Sequence, residues 1–186
     1  MNRAGAWALL TEFTQSDSLR KHALAVEASM RAYADRYRAD PETWGMAGML
    51  HDFDYEMHPH APLHPVKGAE ILLARGVDPA IVHAILAHAD YSGVPRVSLL
   101  DRALYACDEL TGFVHACALV RPGKVIDGLE PASVRKKLKD KGFARTVNRD
   151  DVYRGAAELG VDLDAHIAFV VDALTSVAPE LGLARA

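Results

Sequence analysis

The chain is nearly without cysteine. Cys107 and Cys117 are the 2 in 186 residues, and both fall in one apolar helical pattern, ten positions apart. An intact helix keeps them too far apart to bridge. A disulfide-built secreted scaffold is therefore excluded, and a reducing, cytoplasmic setting is the expectation. Long apolar runs are missing too: no window approaches the roughly 20 residues that span a bilayer, so no membrane is expected as a partner. Met1 to Leu10 carries one early Arg and a short apolar stretch, too short and too poorly flanked for a secretory signal. No period-two alternation marks a strand, and neither an internal repeat nor a low-complexity linker is present. There is no Gly-x-Ser-x-Gly elbow and no Walker loop, which sets aside serine-nucleophile and P-loop chemistry.

What remains is an ordinary globular composition, 50% apolar and 25% charged, long enough for a full core. Helix punctuation recurs along it. Ser16 and Ser18 offer N-cap oxygens before a stripe of Leu19, His22, Val26, Met30, Tyr33 and Tyr37 at three- and four-residue spacing. Asp40-Pro41-Glu42 opens a helix that runs into His51-Asp52, with cap, proline and early acid in their preferred places. A loop over Phe53 to Leu63 follows, then a helix from His64 to Ala74 closed by Gly76. Asp78-Pro79 opens another, reaching His88. Asp90 to Pro95 is a loop, Ser98 caps a long helix from Leu99 to Val120, and Arg121-Pro122-Gly123 stops it. Pro131 begins a basic helix over Ala132 to Lys141, ended by Gly142, and two more are expected near Asp151 to Leu159 and Asp162 to Val177. The fold class read from this is all-α: one domain over residues 1–186, an irregular bundle of roughly eight helices. Its motif core covers about 19–120, and C-terminal helices at about 131–178 pack on it.

The formal net charge of -4 conceals an asymmetry. Between Arg121 and Arg149 nine Lys or Arg stand against three acids, a local +6 on a chain that is acidic elsewhere. A basic flank of this kind attracts phosphorylated ligands or forms a solvated helix face. Nucleic acid is not an expected partner, and the oligomeric state stays open, a homodimer included.

An apolar run, Met46 to Leu50, ends in His51-Asp52. Neutral imidazole beside a carboxylate is a mixed N,O ligand pair for a divalent metal, although such a dipeptide also arises where an acid merely breaks a helix. Four histidines and two aspartates occupy similar places: His22 near the start of a core-facing helix, His51 and Asp52 at the end of one, His64 after a loop, His88 before a loop, and Asp108 inside the long helix. Helix ends around one cavity let a bundle gather ligands without burying unpaired charge along its length. Each also has a plainer reading, a satisfied core histidine for His22 and His88 or an Asp108 paired to Arg102. His58 and His60 are expected in solvent, and His83, His115 and His166 fit helix faces.

The ordered set resembles the HD superfamily of metal-dependent phosphohydrolases. It is carried by His22, by His51-Asp52 about 29 residues later, by His64-Pro65-Val66-Lys67-Gly68, by Ile85-Leu86-Ala87-His88-Ala89-Asp90, and by Ala106-Cys107-Asp108-Glu109-Leu110. The resemblance implies that His22, His51, Asp52 and Asp108 hold a shared metal. It implies equally that His64 and His88 hold a second ion with Asp52 as the bridge. Two-metal members often double the histidine before an acid, and here Ala89 stands in that place. The Asp-Ile-Gly continuation of some members is replaced by Phe53-Asp54, which leaves the subfamily open. The cofactor implied is a divalent ion, Mn, Fe, Co, Ni or Mg, one or two per chain.

Such a site keeps positions open for water, and a water on the ion is a nucleophile near neutral pH. The expected activity is hydrolysis of a phosphomonoester or phosphodiester, a nucleotide or small phosphometabolite, with Asp52, Lys67 and Asp54 as the catalytic residues. Lys67, at i+3 from His64, is the first choice of phosphate partner, with Arg96, Arg135, Lys136 and Lys139 behind it. Asp54 and Glu109 are placed to orient water or a histidine N–H. Two other readings remain: a di-iron oxygenase of the inositol-oxygenase-like type, whose ligand order is the same, and a non-catalytic module that senses a nucleotide.

Overall fold

Each long helix begins where a capping side chain places it. Ser16 accepts from the Leu19 amide ahead of α2 (Asp17–Tyr37). Asp40 accepts from Glu42 and Thr43 ahead of α3 (Pro41–Leu50), and Asp78 from Ala80 ahead of α5 (Pro79–Ala87). Ser98 and Asp101 form a reciprocal capping box on α6 (Leu99–Leu119). Each satisfies amides that the first helical turn leaves without partners. The structure is a computed structural model that describes residues 1–185. Among these residues it holds ten α-helices, two single 3-10 turns and no strand.

The count exceeds the eight read from the sequence because two helices carry little signal. In α1 (Arg3–Phe13) only Ala6, Leu9 and Leu10 are buried, and α10 (Ala178–Leu181) is a single turn. Three boundaries also shift. α4 (Val66–Ala74) starts after His64 rather than at it, because Pro65 donates no N–H and biases the residue before it away from helix. α7 (Pro131–Leu138) stops short of Lys141. α8 (Arg149–Leu159) starts ahead of Asp151, where Asn148 accepts from the Asp150 amide. α9 (Leu163–Ser176) completes the set.

The 21 residues of α6, about 30 Å of helix, run through both apolar clusters of the core. Leu104 and Cys107 pack with Met30 and Tyr33 of α2, Leu50 of α3 and Ile81 and Ile85 of α5. Further along, Leu110, Phe113 and Val114 pack with Val134 of α7, Val152 of α8 and Ile167, Val170 and Leu174 of α9. The remaining face of α6, with Asp108, Gly112 and His115 at i, i+4 and i+7, opens on a cavity of about 730 Å³.

Two glycines set how closely the walls of this cavity approach. A Cβ on Gly48 would lie 2.9 Å from the Val26 carbonyl oxygen and 3.0 Å from Glu27 Cα, so α3 lies directly on α2. A Cβ on Gly155 would lie 2.7 Å from Ala106 Cα, which brings α8 equally close to α6. His166, expected only to fit a helix face, pins α9 into the core. Tyr33 Oη donates to its Nδ1 at 2.6 Å, and its Nε2–H donates to the Ala106 carbonyl at 2.9 Å.

Candidate metal centre

His51 follows directly on α3 and is fully buried, and its Nδ1–H donates to the Gly48 carbonyl at 2.8 Å. That bond fixes the tautomer, leaving a lone pair on Nε2. The Nε2 points at other acceptors: His22 Nε2 at 3.2 Å, Asp108 Oδ1 at 3.2 Å and Asp52 Oδ2 at 3.4 Å. His22 Nε2 is also 3.0 Å from Asp108 Oδ1. Two imidazole nitrogens and two carboxylates that converge on one point form the arrangement a cation completes, a proton or a divalent ion.

A second set adjoins the first through the other oxygen of Asp52. Oδ1 lies 3.1 Å from His64 Nε2 and 3.6 Å from His88 Nε2, and the two Nε2 atoms are 3.4 Å apart. Here also the outer nitrogens are committed. His88 Nδ1–H donates to the Ile85 carbonyl and His64 Nδ1–H to Asp54 Oδ1. The described residues thus offer two groups able to hold an ion, His22, His51, Asp52 and Asp108 in one and Asp52, His64 and His88 in the other, sharing Asp52. The donor chemistry fits one or two divalent ions, and Ala89 lines the cavity beside His88 without offering a donor.

Electrostatics bind the cluster together. Burial alone lowers an imidazolium, yet the charges of Asp52 and Asp108 carry His51 well above its ordinary value. Against the same burial, Asp52 and Asp54 raise His64 to about 9. Burial opposes the charge on Asp52, but His51, His64 and His88 hold it well below the usual carboxylate range. Asp108 is held low by His51 and His22. Protons and a divalent ion therefore compete for the same lone pairs.

The other sequence candidates fall elsewhere. Lys67 is not brought to the cavity: its Nζ sits 2.8 Å from Glu70 Oε1 on the exposed face of α4. Because the helix starts at Val66, His64 and Lys67 do not share a helical face. Asp54 is fully buried, away from the cavity lining, and accepts from His64 and from the Gly68 amide at 3.0 Å. It is a positioning residue that acts through the His64 imidazole and lies off the cavity itself. Arg96 is engaged by Asp90 and Glu158, and Arg135 faces Asp164. The basic stretch turns no Lys or Arg side chain into the cavity, although Ala144, Thr146, Val147 and Asn148 line it. Asp108 bonds the histidines, not Arg102. His58 and His60 lie off the lining, whereas His115 is on it.

The sequence reading missed the opposite wall, formed by Tyr105, Asp151 and Arg154. Its one visible signal is the i, i+3 spacing of Asp151 and Arg154 on α8. Glu109, weighed as a water-orienting acid, lines the cavity and accepts from the Asn148 amide at 3.2 Å, and burial followed by the Asp108 charge pushes it up to about 8.

Among the described residues no helix is long and apolar enough to cross a membrane. A family model described as the HD domain matches residues 19–112, which spans every ligand from His22 to Asp108. No curated protein and no solved structure matches the chain.

Proposed function

The chain belongs to the HD domain family, and from that premise we propose that it is a metal-dependent phosphohydrolase that cleaves a phosphate ester of a nucleotide or small phosphometabolite by attack of water. The observation that carries this reading is the sharing of Asp52: one oxygen faces His22, His51 and Asp108, and the other faces His64 and His88. HD domains are commonly metal-dependent hydrolases, and a pair of N,O ligand sets on a common carboxylate suits in-line displacement at phosphorus.

A divalent ion held here supplies Lewis-acid polarisation of a phosphoryl oxygen and a lowered pKa for bound water. The chain's own residues do the rest. His51 and His88, each tied through Nδ1 to a backbone carbonyl, and His64, tied to Asp54, hold their Nε2 lone pairs in a fixed direction, so little reorganisation is needed when ligand binds. The burial of His51, His64 and His88 keeps bulk water from the inner side of the cluster. Glu109, next to Asp108 and lining the cavity, is the proton carrier this reading assigns.

The experiment is elemental analysis of purified protein followed by phosphate release from a panel of phosphomonoesters and diesters with Mn, Co, Ni and Mg. Release that needs the metal upholds the reading. Two irons per chain with oxygen consumption and no phosphate release would favour the oxygenase instead, because the shared carboxylate serves that chemistry equally well.

A further inference from the structure

The cavity is larger than the metal cluster requires. At about 730 Å³ it falls in the range of sites that enclose most of a small organic ligand, roughly 300–1,000 Å³, so the body of the substrate is held as well as its phosphoryl group. The wall facing the cluster belongs to α8 and the adjoining side of α6, largely outside the matched residues 19–112, and its polar groups are fixed to one another. Arg154 Nε donates to Tyr105 Oη at 2.6 Å, and Tyr105 Oη donates to Asp151 Oδ1 at 2.8 Å. Asn148 Nδ2 donates to Asp151 Oδ2 at 2.6 Å. Arg154 Nη2 is held between Asp151 and Asp90. Among the described residues Arg154 Nη1 has no hydrogen-bond partner, which leaves donors on a clamped guanidinium that lines the cavity.

The charge on this wall decides what it accepts. Beyond Asp52 and Asp108, the cavity lining carries Asp90, Glu109 and Asp151 against the single cation Arg154, and no lysine. Beyond the phosphoryl group held at the metal cluster, a di- or triphosphate brings further negative charge, which the Asp90 and Asp151 carboxylates of this wall repel and Arg154, already paired to both, does not offset. A neutral group that both donates and accepts finds the reverse: acceptor oxygens on Asp151, the Tyr105 hydroxyl, and the free Nη1 donors of Arg154. A carboxylate beside a fixed donor on one helix suits adjacent hydroxyl groups.

We propose that the α8 wall is a subsite for an uncharged, hydroxyl-bearing group, so that the substrate is the monophosphate ester of a sugar, free or as part of a nucleoside. The proposal rests on the hydrolase reading for the position of the phosphoryl group and on Tyr105, Asp151 and Arg154 for the rest. These three are specificity-determining residues.

The test uses metal-loaded full-length protein and two readouts. In turnover, kcat/KM for ribose 5-phosphate is expected to exceed that for n-pentyl phosphate, an ester of the same carbon count without hydroxyls, by tenfold or more. Adenosine 5′-monophosphate is expected to surpass adenosine 5′-triphosphate likewise. In calorimetric titration ribose 5-phosphate is expected to bind at least tenfold more tightly than n-pentyl phosphate. Asp151→Asn and, independently, Arg154→Lys should bring the ribose-to-pentyl ratio toward one in both readouts, chiefly through KM, with metal content and melting curve checked for each. Comparison of ribose 5-phosphate with adenosine 5′-monophosphate separates a free sugar from a nucleoside.

A wild-type ratio near one, faster release from the triphosphate, or an undiminished ratio in both folded variants overturns the subsite and leaves the hydrolase reading standing. No phosphate release from any ester at full metal loading overturns the hydrolase reading. A binding preference for ribose 5-phosphate then still upholds the subsite, and its absence removes both.

Discussion

His64 Nδ1 donates to Asp54 Oδ1 at 2.7 Å inside the protein, while the second oxygen of Asp54 accepts from the Gly68 amide at 3.0 Å. One buried carboxylate thus aims a metal-facing imidazole and tethers the first turn of α4. Replacing it with Asn keeps an acceptor for one donor at best. Asp54→Asn is expected to weaken metal at the His64 group by about 10–100-fold, the usual effect of losing a partner that orients a ligand. It should also cost about 1–3 kcal/mol of stability through an unsatisfied buried donor. Metal titration and urea melts on one sample read both.

Asp52 has the larger role because each of its oxygens faces a different ligand group. Asp52→Ala is expected to abolish stable loading of both groups and to lower metal-dependent turnover by more than about 100-fold, beyond what loss of an orienting partner causes. Chelation of the wild type should mimic this in stability. Metal at 100 times its Kd contributes about 2.7 kcal/mol, or about 5–10 °C in Tm for a chain of this size. Thermal melts of wild type and variant, with and without chelator, should then converge in chelator to within the effect of the substitution alone.

Much of this is legible in the sequence, for reasons that differ along the chain. Ser16, Asp40, Asp78 and Ser98 are local devices whose oxygens reach amides two or three residues on, so sequence spacing suffices to place α2, α3, α5 and α6. His22, His51, His88 and Asp108 follow from where those helices start, stop or pass. The α8 wall was not visible, because its position depends on Gly155 meeting Ala106 across 49 residues, a contact without a local signature. Lys67 was misplaced for a narrower reason: Pro65 delays the helix start, and the i+3 rule fails when one partner lies outside the helix.

The pH dependence of stability should change sign with metal. In chelator, His64 titrates at about 9 when folded against 6.5 for the unpaired group, so its contribution is fully present below pH 6.5 and is lost as pH rises through 9. The buried shift corresponds to about 3–3.5 kcal/mol at most, and His51, also raised, acts in the same direction. With saturating metal the histidine ligands must be neutral, so affinity and Tm should rise over the same interval. Melting curves at pH 6, 7.5 and 9 with and without metal check this. A parallel trend in the two series would contradict the assignment of these histidines to the ion.

Tyr33→Phe separates core from site. It leaves the buried His166 Nδ1 without its donor, and about 1–3 kcal/mol should be lost. Metal affinity per folded molecule should be unaltered, because neither residue reaches the cavity. A change in metal affinity beyond about twofold would mean that α9 positions the ligands through α2 and α6.

Gly48→Ala should damage the site through packing alone. The new methyl would face backbone atoms of Val26 and Glu27 at 2.9 and 3.0 Å, which cannot rotate away, so α3 must lift from α2. Overpacking of this kind costs about 1–3 kcal/mol, offset by the roughly 1 kcal/mol that Ala gains over Gly within a helix. The larger consequence follows from the Gly48 carbonyl, the acceptor that orients His51 Nδ1. Displacing it turns His51 Nε2 away from Asp108, and the His22, His51, Asp52 and Asp108 group should lose metal affinity by about tenfold or more while net stability falls by only about 0–2 kcal/mol. A variant that melts earlier but binds metal as tightly as wild type would show that His51 is held by its carboxylate neighbours rather than by the backbone of α3.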